Sequence, residues 1–164
     1  MDDKLEIKLA YDEQDDILKL FKEYTDFLVE GDRKFAAYLE IQNYDEEIKD
    51  LTVKYGMPNG RLYIARYDGK VAGCVAMKRH DDENAGELKR LYVRPEFRGK
   101  HIARVLSEKI LEDAKTEGYE AVYLDTLPFL TAAQGLYKSM GFKVCPPYND
   151  DPMGCSIFMY KEID

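Results

Sequence analysis

The chain has 164 residues, with 24 Lys+Arg against 32 Asp+Glu, a net charge of −8, 45% hydrophobic residues and no tryptophan. A chain of this length buries roughly 70% of the surface its unfolded form exposes, so it builds a core without staples and reads as one domain over residues 1–164. The acidic balance and the lack of any Lys/Arg run argue against a nucleic-acid binder and favour a cationic partner. Cys74, Cys145 and Cys155 are odd in number and lack C-x-x-C spacing, so they read as small buried hydrophobes rather than a disulfide framework or a zinc site. No apolar run of about 18 residues occurs, and Met1-Asp2-Asp3-Lys4 does not open a signal peptide; no membrane and a reducing cytoplasm are expected.

In chain order, Leu5-Glu6-Ile7-Lys8-Leu9 alternates like a half-buried strand. Residues 12–28 then place Ile17, Leu18, Leu20, Phe21, Tyr24, Phe27 and Leu28 at helical spacing. A weaker helical pattern runs over 32–55 with a break near Asn43, and residues 56–60 read as a loop. Two β-prone runs carrying Leu62, Ile64, Val71, Cys74, Val75 and Ala76 are joined by Tyr67-Asp68-Gly69-Lys70, a hairpin signal. A polar stretch over 79–86 precedes a strand at 87–93. After a short polar connection, residues 100–117 carry Ile102, Val105, Leu106, Ile110, Leu111 and Ala114 with the period of a one-sided helix, stopped by Gly118. Ala121-Val122-Tyr123-Leu124 is too apolar for an exposed strand; a helix over 131–140 ends at Gly141, and strands follow at 142–145 and 156–161. The alternation predicts an α/β sandwich whose mostly antiparallel sheet contains at least one parallel pair.

The most informative stretch is Leu91-Tyr92-Val93-Arg94-Pro95-Glu96-Phe97-Arg98-Gly99-Lys100-His101-Ile102-Ala103, in which a strand passes through a tight glycine turn straight into a helix. The first helical N–H groups have no partner within the helix, and with the positive end of the macrodipole behind them they suit a phosphate or pyrophosphate. Gly99 removes the side chain that would block approach, and small Ala103 lets the helix sit close to its strand. An ordinary βα turn has the same outline, so the physics of the turn leaves both readings open.

Arg98-Gly99-Lys100-His101-Ile102-Ala103 resembles the Q/R-x-x-G-x-G/A signature of the GNAT superfamily of acyl-CoA-dependent N-acetyltransferases, preceded by the family's L-x-V-x-P as Leu91-Tyr92-Val93-Arg94-Pro95. The fourth signature position, usually glycine, is His101. A second landmark, A-x-x-L-Y-x-x-x-G-F, is matched by Ala133-Gln134-Gly135-Leu136-Tyr137-Lys138-Ser139-Met140-Gly141-Phe142. The tail from Pro146 to Gly154, with Ile157-Phe158-Met159, looks like that of a subgroup of bacterial members. The resemblance implies a GNAT-like α/β fold: a mixed, mostly antiparallel twisted sheet with helices on both faces and a splayed parallel strand pair forming the cofactor cleft.

Acetyl transfer from a thioester to an amine needs a cofactor cradle, polarisation of the thioester carbonyl, a base for the ammonium proton and an acid for the departing thiolate. The resemblance implies acetyl-CoA as co-substrate and no metal. It places backbone amides for the pantetheine arm and thioester oxygen near Leu91, Tyr92 and Val93, and the pyrophosphate at Arg98, Gly99, Lys100, His101, Ile102, Ala103 and Arg104. It makes Tyr137 the acid and Glu87, acting through water, the base. The family's asparagine seven residues before the tyrosine is Leu130 here, so Thr126 or Thr131 is expected to supply that contact. Asp125 either orients a group in the cleft or caps a turn. His80 falls in a polar loop and is expected to be exposed. The acceptor side implied for residues 24–60 offers Tyr24, Asp26, Glu30, Asp32, Tyr38 and Tyr44, a mix suited to a small polar amine or a peptide terminus and equally to a solvated helix face. Homodimers are frequent among relatives. The expected function is therefore N-acetylation of a small-molecule or peptide amine, the alternative being a non-catalytic acyl-CoA sensor. A nucleotide-binding protein is disfavoured, since neither G-x-x-x-x-G-K-[ST] nor G-x-G-x-x-G occurs.

Overall fold

The computed structural model describes residues 3–33, 35–36, 44–80, 83–148 and 156–164. Strand β1 (Leu5–Leu9) leads into helix α1 (Gln14–Gly31), and short helices α2 (Tyr44–Glu47) and α3 (Leu51–Tyr55) precede β2 (Arg61–Tyr67), β3 (Lys70–Arg79) and β4 (Ala85–Val93). A 3-10 turn at Pro95–Phe97 then leads to α4 (Ile102–Thr116), β5 (Ala121–Thr126), α5 (Thr131–Ser139), β6 (Lys143–Cys145) and β7 (Ile157–Glu162). The expected break near Asn43 lies outside the described residues, as do Tyr38, Cys155 and the tail segment 149–155. Among the described residues no helix is long and apolar enough to cross a membrane.

The strands form one sheet in the order β1-β2-β3-β4-β5-β7-β6, in which only β4 and β5 are parallel neighbours. Both faces are covered, which is why β2 and β3 read as nearly continuous apolar runs. Tyr63, Ala65, Val75, Met77 and Leu88 pack against Ile102, Leu106, Ile110 and Ala114 of α4, with Tyr137 of α5 in the same cluster. On the opposite face Leu62, Ile64, Cys74 and Ala76 meet Ile17, Leu20 and Phe21 of α1 and Leu51 and Tyr55 of α3. The β2–β3 hairpin turns where the sequence places it, with Asp68 (φ 53°) and Gly69 (φ 79°) both in the left-handed conformation that a type I′ turn demands.

Two features of β4 open the sheet. Cys74 of β3 pairs with Tyr92 and Ala76 with Lys89, so Arg90 and Leu91 together face the single residue Val75 in a bulge. Arg90 sits there at φ 58°. On its other edge β4 pairs with β5 only at Ala85, Gly86 and Glu87; from Leu88 onward the two strands diverge while β5 continues alongside β7. The divergence frees the cleft-facing edge of the second half of β4.

Two expectations need correction. His80 is buried rather than exposed, because its ring stacks on Tyr123 at 4.4 Å and meets the edge of Tyr148 at 4.7 Å. Cys74 is buried as expected, but Cys145 is only half-buried, because β6 forms the sheet's outer edge.

Candidate active site

Where β4 and β5 part, a cleft of about 710 Å³ opens between β4, the following turn, the start of α4, and α5. The turn runs from the 3-10 helix through extended Arg98 and Gly99 (φ 82°) to His101 (φ 62°), the residue preceding α4. Val105 is the first amide of α4 to bond back into the chain, to the His101 carbonyl, so the N–H groups of Ile102, Ala103 and Arg104 form the unpaired helix start. No side chain caps it. A Cβ built on Gly99 meets nothing within 4 Å, which leaves open space in front of these amides. The positive φ at position 101 accounts for the family's glycine there. Histidine tolerates the same conformation better than most side chains.

Leu91, Tyr92, Val93, Arg98, Gly99, His101, Ile102, Ala103 and Arg104 all line the cleft. Lys100 does not: its ammonium lies 4.9 Å from the centre of the Tyr67 ring. The Arg98 guanidinium rests 5.5 Å from the centre of Phe27, and Arg104 donates to the Ser139 hydroxyl at 2.6 Å. Thr126, Leu130 and Thr131 line the same space. The cleft also takes in Phe27 and Phe129, whose rings meet edge-on with centres 6.2 Å apart, and Gly135, whose missing side chain leaves room along α5; nothing in their local sequence marks them as site residues. Both phenylalanines remain more than a third exposed despite their size. Gly31 makes the seat for Phe129, since a Cβ there would fall 2.3 Å from its ring.

Tyr137 projects from α5 into the cleft and is 6% exposed. Burial drives its phenol pKa well above the ordinary value, with nearby Tyr24 and Asp125 adding to the shift, so the group is a neutral donor at physiological pH. A second, smaller cavity of about 40 Å³ adjoins the cleft and shares Tyr24, Leu91, Asp125, Thr126, Leu130 and Tyr137 with it. Its other polar lining comes from Lys89 and Arg90. Burial likewise pushes the Tyr24 phenol up to about 12.

Glu87 and Lys89 alternate with Leu88, so they face away from α4. Glu87 lies in the paired part of β4, outside the lining of both spaces. Its carboxylate accepts from the Tyr148 hydroxyl at 3.3 Å and stands 3.5 Å from His80 Nδ1, 3.6 Å from Lys89 Nζ and 3.8 Å from Lys78 Nζ. Burial alone would raise its pKa, but His80, Lys89 and Lys78 outweigh that and hold it at about 2. The structure thus brings Tyr137 to the cleft and sets Glu87 in an ion cluster beside it.

Arg90 ties the bulge to the acceptor side. Its Nε and Nη2 donate to the two carboxylate oxygens of Glu47 at 3.0 and 2.8 Å, and Lys54 donates to Glu47 at 2.8 Å. Burial opposes ionisation of Glu47, and the Arg90 and Lys54 charges reverse it to a pKa of about 2. Of the other residues expected on that side, Tyr44 lies under the Arg90 guanidinium at 5.3 Å, Asp26 pairs with Lys22 on the exposed face of α1, Glu30 is exposed and Asp32 half-buried. Among the described residues no group of three or more His, Cys, Asp or Glu side chains could hold a metal ion.

A strand that bulges and splays from a parallel neighbour, followed by a glycine turn and the bare start of a helix, makes an α/β fold with a cleft suited to an anion. The acetyltransferase (GNAT) family model matches residues 18–142, and the chain belongs to that family. It is 37% identical over 158 residues to the Uncharacterized N-acetyltransferase C1271.07c of Schizosaccharomyces pombe, covering 96% of this chain and 92% of that protein. Human N-acetylaspartate synthetase is 41% identical over 108 residues, 65% of this chain and 35% of the synthetase. The PaiA N-acetyltransferase of Thermoplasma acidophilum, solved in complex with coenzyme A, superposes with a TM-score of 0.73 at 21% identity, covering 99% of each chain.

Proposed function

We propose that this protein is an N-acetyltransferase that moves the acetyl group of acetyl-CoA directly to a primary amine of a small molecule or peptide, residues 1–164 forming one acetyltransferase unit. The observation that carries the reading is the pair of adjoining spaces: an open cleft with an end suited to an anion and a small cavity of mixed polar and apolar lining that meets it at Leu91 and Tyr137. Two substrates approaching from the two spaces would meet there, so no acetyl-enzyme is required. Coenzyme A in the Thermoplasma neighbour and the acetylated small product in the name of the human relative support both halves of it.

The residues present fit the coenzyme. The open space in front of Gly99 and the unpaired amides of Ile102, Ala103 and Arg104 suit a diphosphate, with Arg98 adding a positive charge. Bound acetyl-CoA supplies an acetyl thioester, a carbonyl already activated toward an amine. The freed edge of β4 at Leu91 and Val93 offers main-chain groups to the pantetheine arm and the thioester oxygen. The Tyr137 phenol, kept neutral by burial, would hydrogen-bond the departing sulfur and relay to it the second proton that the amine nitrogen loses, ending as the phenol it began. Glu87 as base would have to draw the ammonium proton out of the cavity onto a carboxylate held at about 2, which is a weak acceptor; Asp125, which lines both spaces, is better placed for that proton. Glu87 then serves to hold Lys78, Lys89 and His80 in place.

The test has two stages. Calorimetry with acetyl-CoA asks whether the coenzyme binds, and a thiol-release screen over polyamines, amino acids, antibiotics and peptides asks whether the acetyl group moves. Saturable binding with amine-dependent thiol release is the expected result. Binding without release from any acceptor leaves the acyl-CoA sensor; no binding removes both readings. A cytoplasmic location accompanies the proposal, and gel filtration tests whether the protein is a monomer or a homodimer.

A further inference from the structure

We infer that the acceptor is a small amino acid, an amine a few bonds from a carboxylate, with Lys89 binding the carboxylate and Asp125 receiving the ammonium. The inference rests on the acetyltransferase reading above and deepens it. The acceptor cavity is small: about 40 Å³ holds on the order of three water-sized bodies, the bulk of one carboxylate group. Its lining carries opposite charges on its two strands, Lys89 and Arg90 from β4 and Asp125 from β5, with the hydroxyls of Tyr24, Thr126 and Tyr137. A zwitterion presents the complementary pair. Because the cavity meets the cleft at Tyr137, where the sulfur is placed, the ammonium must stand near that junction and the carboxylate deeper, within a few bonds.

Charge tells the same story. Lys89, Arg90 and Asp125 are the charged residues that line the cavity, and Lys54 and Lys78 stand behind them on Glu47 and Glu87. Each buried glutamate serves two cations. Glu47 is taken by the two-pronged bond from Arg90 and by Lys54, and Glu87 is shared by Lys78 and Lys89 while also holding His80 and Tyr148. Lys89, 6% exposed and 3.6 Å from its half of Glu87, is the cation with the thinnest compensation that also lines the cavity. An ammonium withdrawn from water is costly unless fully paired. Burial and the neighbouring Lys89 and Arg90 charges also hold the Lys54 ammonium down to about 8 against the pull of Glu47. An anionic ligand group beside Lys89 would complete the pairing that a single carboxylate at 3.6 Å begins.

The test uses the full-length protein, acetyl-CoA and a thiol-release assay on matched acceptors: each α-amino acid beside its α-carboxamide, aspartate beside asparagine, glutamate beside glutamine, with spermidine as an amine lacking a carboxylate. At least one carboxylate member is expected to exceed its amide by about tenfold or more in kcat/KM, the scale of one charged hydrogen bond. In Lys89→Met that ratio falls toward one, chiefly through KM, and Lys89→Arg restores part of it, while calorimetric affinity for acetyl-CoA stays within about twofold. If Lys89→Met does not fold, the wild-type pairs decide alone. Amides or spermidine acetylated as well as or better than the acids overturn the inference and leave the acetyltransferase reading standing. No turnover with any acceptor, by protein that binds acetyl-CoA, overturns both.

Discussion

Replacing Glu47 with glutamine tests the structural role of the buried ion cluster behind the bulge. Glu47 of α2 accepts both bonds from Arg90 and one from Lys54, and both Glu47 and Arg90 are about 5% exposed. The substitution removes the charge that pays for burying the guanidinium, and such one-sided losses cost about 3–5 kcal/mol. The depressed acidity gives a similar figure: moving a carboxyl from 4.5 to about 2 corresponds to about 3 kcal/mol of stabilisation by its surroundings. For a chain of this size that is roughly 6–12 °C in Tm. Urea unfolding at pH 7 measures it directly. The double variant Glu47→Gln/Arg90→Met, which removes both charges, is expected to recover much of the loss, because an apolar replacement of a buried pair is often close to neutral. A Glu47→Gln cost below about 1 kcal/mol, or no recovery in the double variant, would refute the view that the guanidinium depends on this carboxylate.

Acid should act on the same cluster. Glu47 and Glu87 have folded pKa values near 2, below their unfolded values, so their contribution is complete above about pH 4.5 and is lost as pH falls toward 2; unfolding free energy measured against pH should drop across that window, and a flat profile contradicts it. Tyr137→Phe keeps the ring and removes the donor, so kcat is expected to fall by about 10²-fold with acetyl-CoA affinity nearly unchanged; a full rate in single-turnover assays removes the phenol from the proton path. His101→Gly relieves a left-handed residue at the start of α4 and is expected to leave stability unchanged or raise it by about 1 kcal/mol by thermal melting, whereas a loss of that size shows that the imidazole makes a contact the backbone needs.

The turn and the two landmarks were legible because their residues act locally. Gly99 and the small Ala103 are dictated by how a strand feeds a helix, and Tyr137 by its place one turn before the glycine that stops α5. The hairpin at Asp68-Gly69 was legible for the same reason. What the sequence hid depends on long-range pairing. Arg90 reads as an ordinary strand residue until the bulge sets it at positive φ against Glu47, 43 positions earlier. His80 reads as a loop residue because its polar neighbours on the chain say nothing of Tyr123 and Tyr148, which bury it from later elements. Phe27 has helical spacing toward the core, yet it faces the cleft, because α1 extends to Gly31 and brings that position opposite Phe129. Glu87 was placed at the correct strand, but which side of β4 it occupies follows from alternation with Leu88, and only packing fixes which side holds the cavity.

The claim on which the account depends is that coenzyme A lies in the cleft between the splayed strands, along α5. Gly135 tests it without disturbing the fold, since a Cβ there meets nothing within 4 Å and a helical glycine gains stability from almost any side chain. Calorimetric titration of acetyl-CoA into the wild-type protein and Gly135→Phe, with thermal melts of both, is the measurement. The account requires saturable one-to-one binding to the wild type, a loss of at least tenfold in the variant, and an equal or higher Tm. Equal affinity in the two proteins would contradict it and place the coenzyme elsewhere.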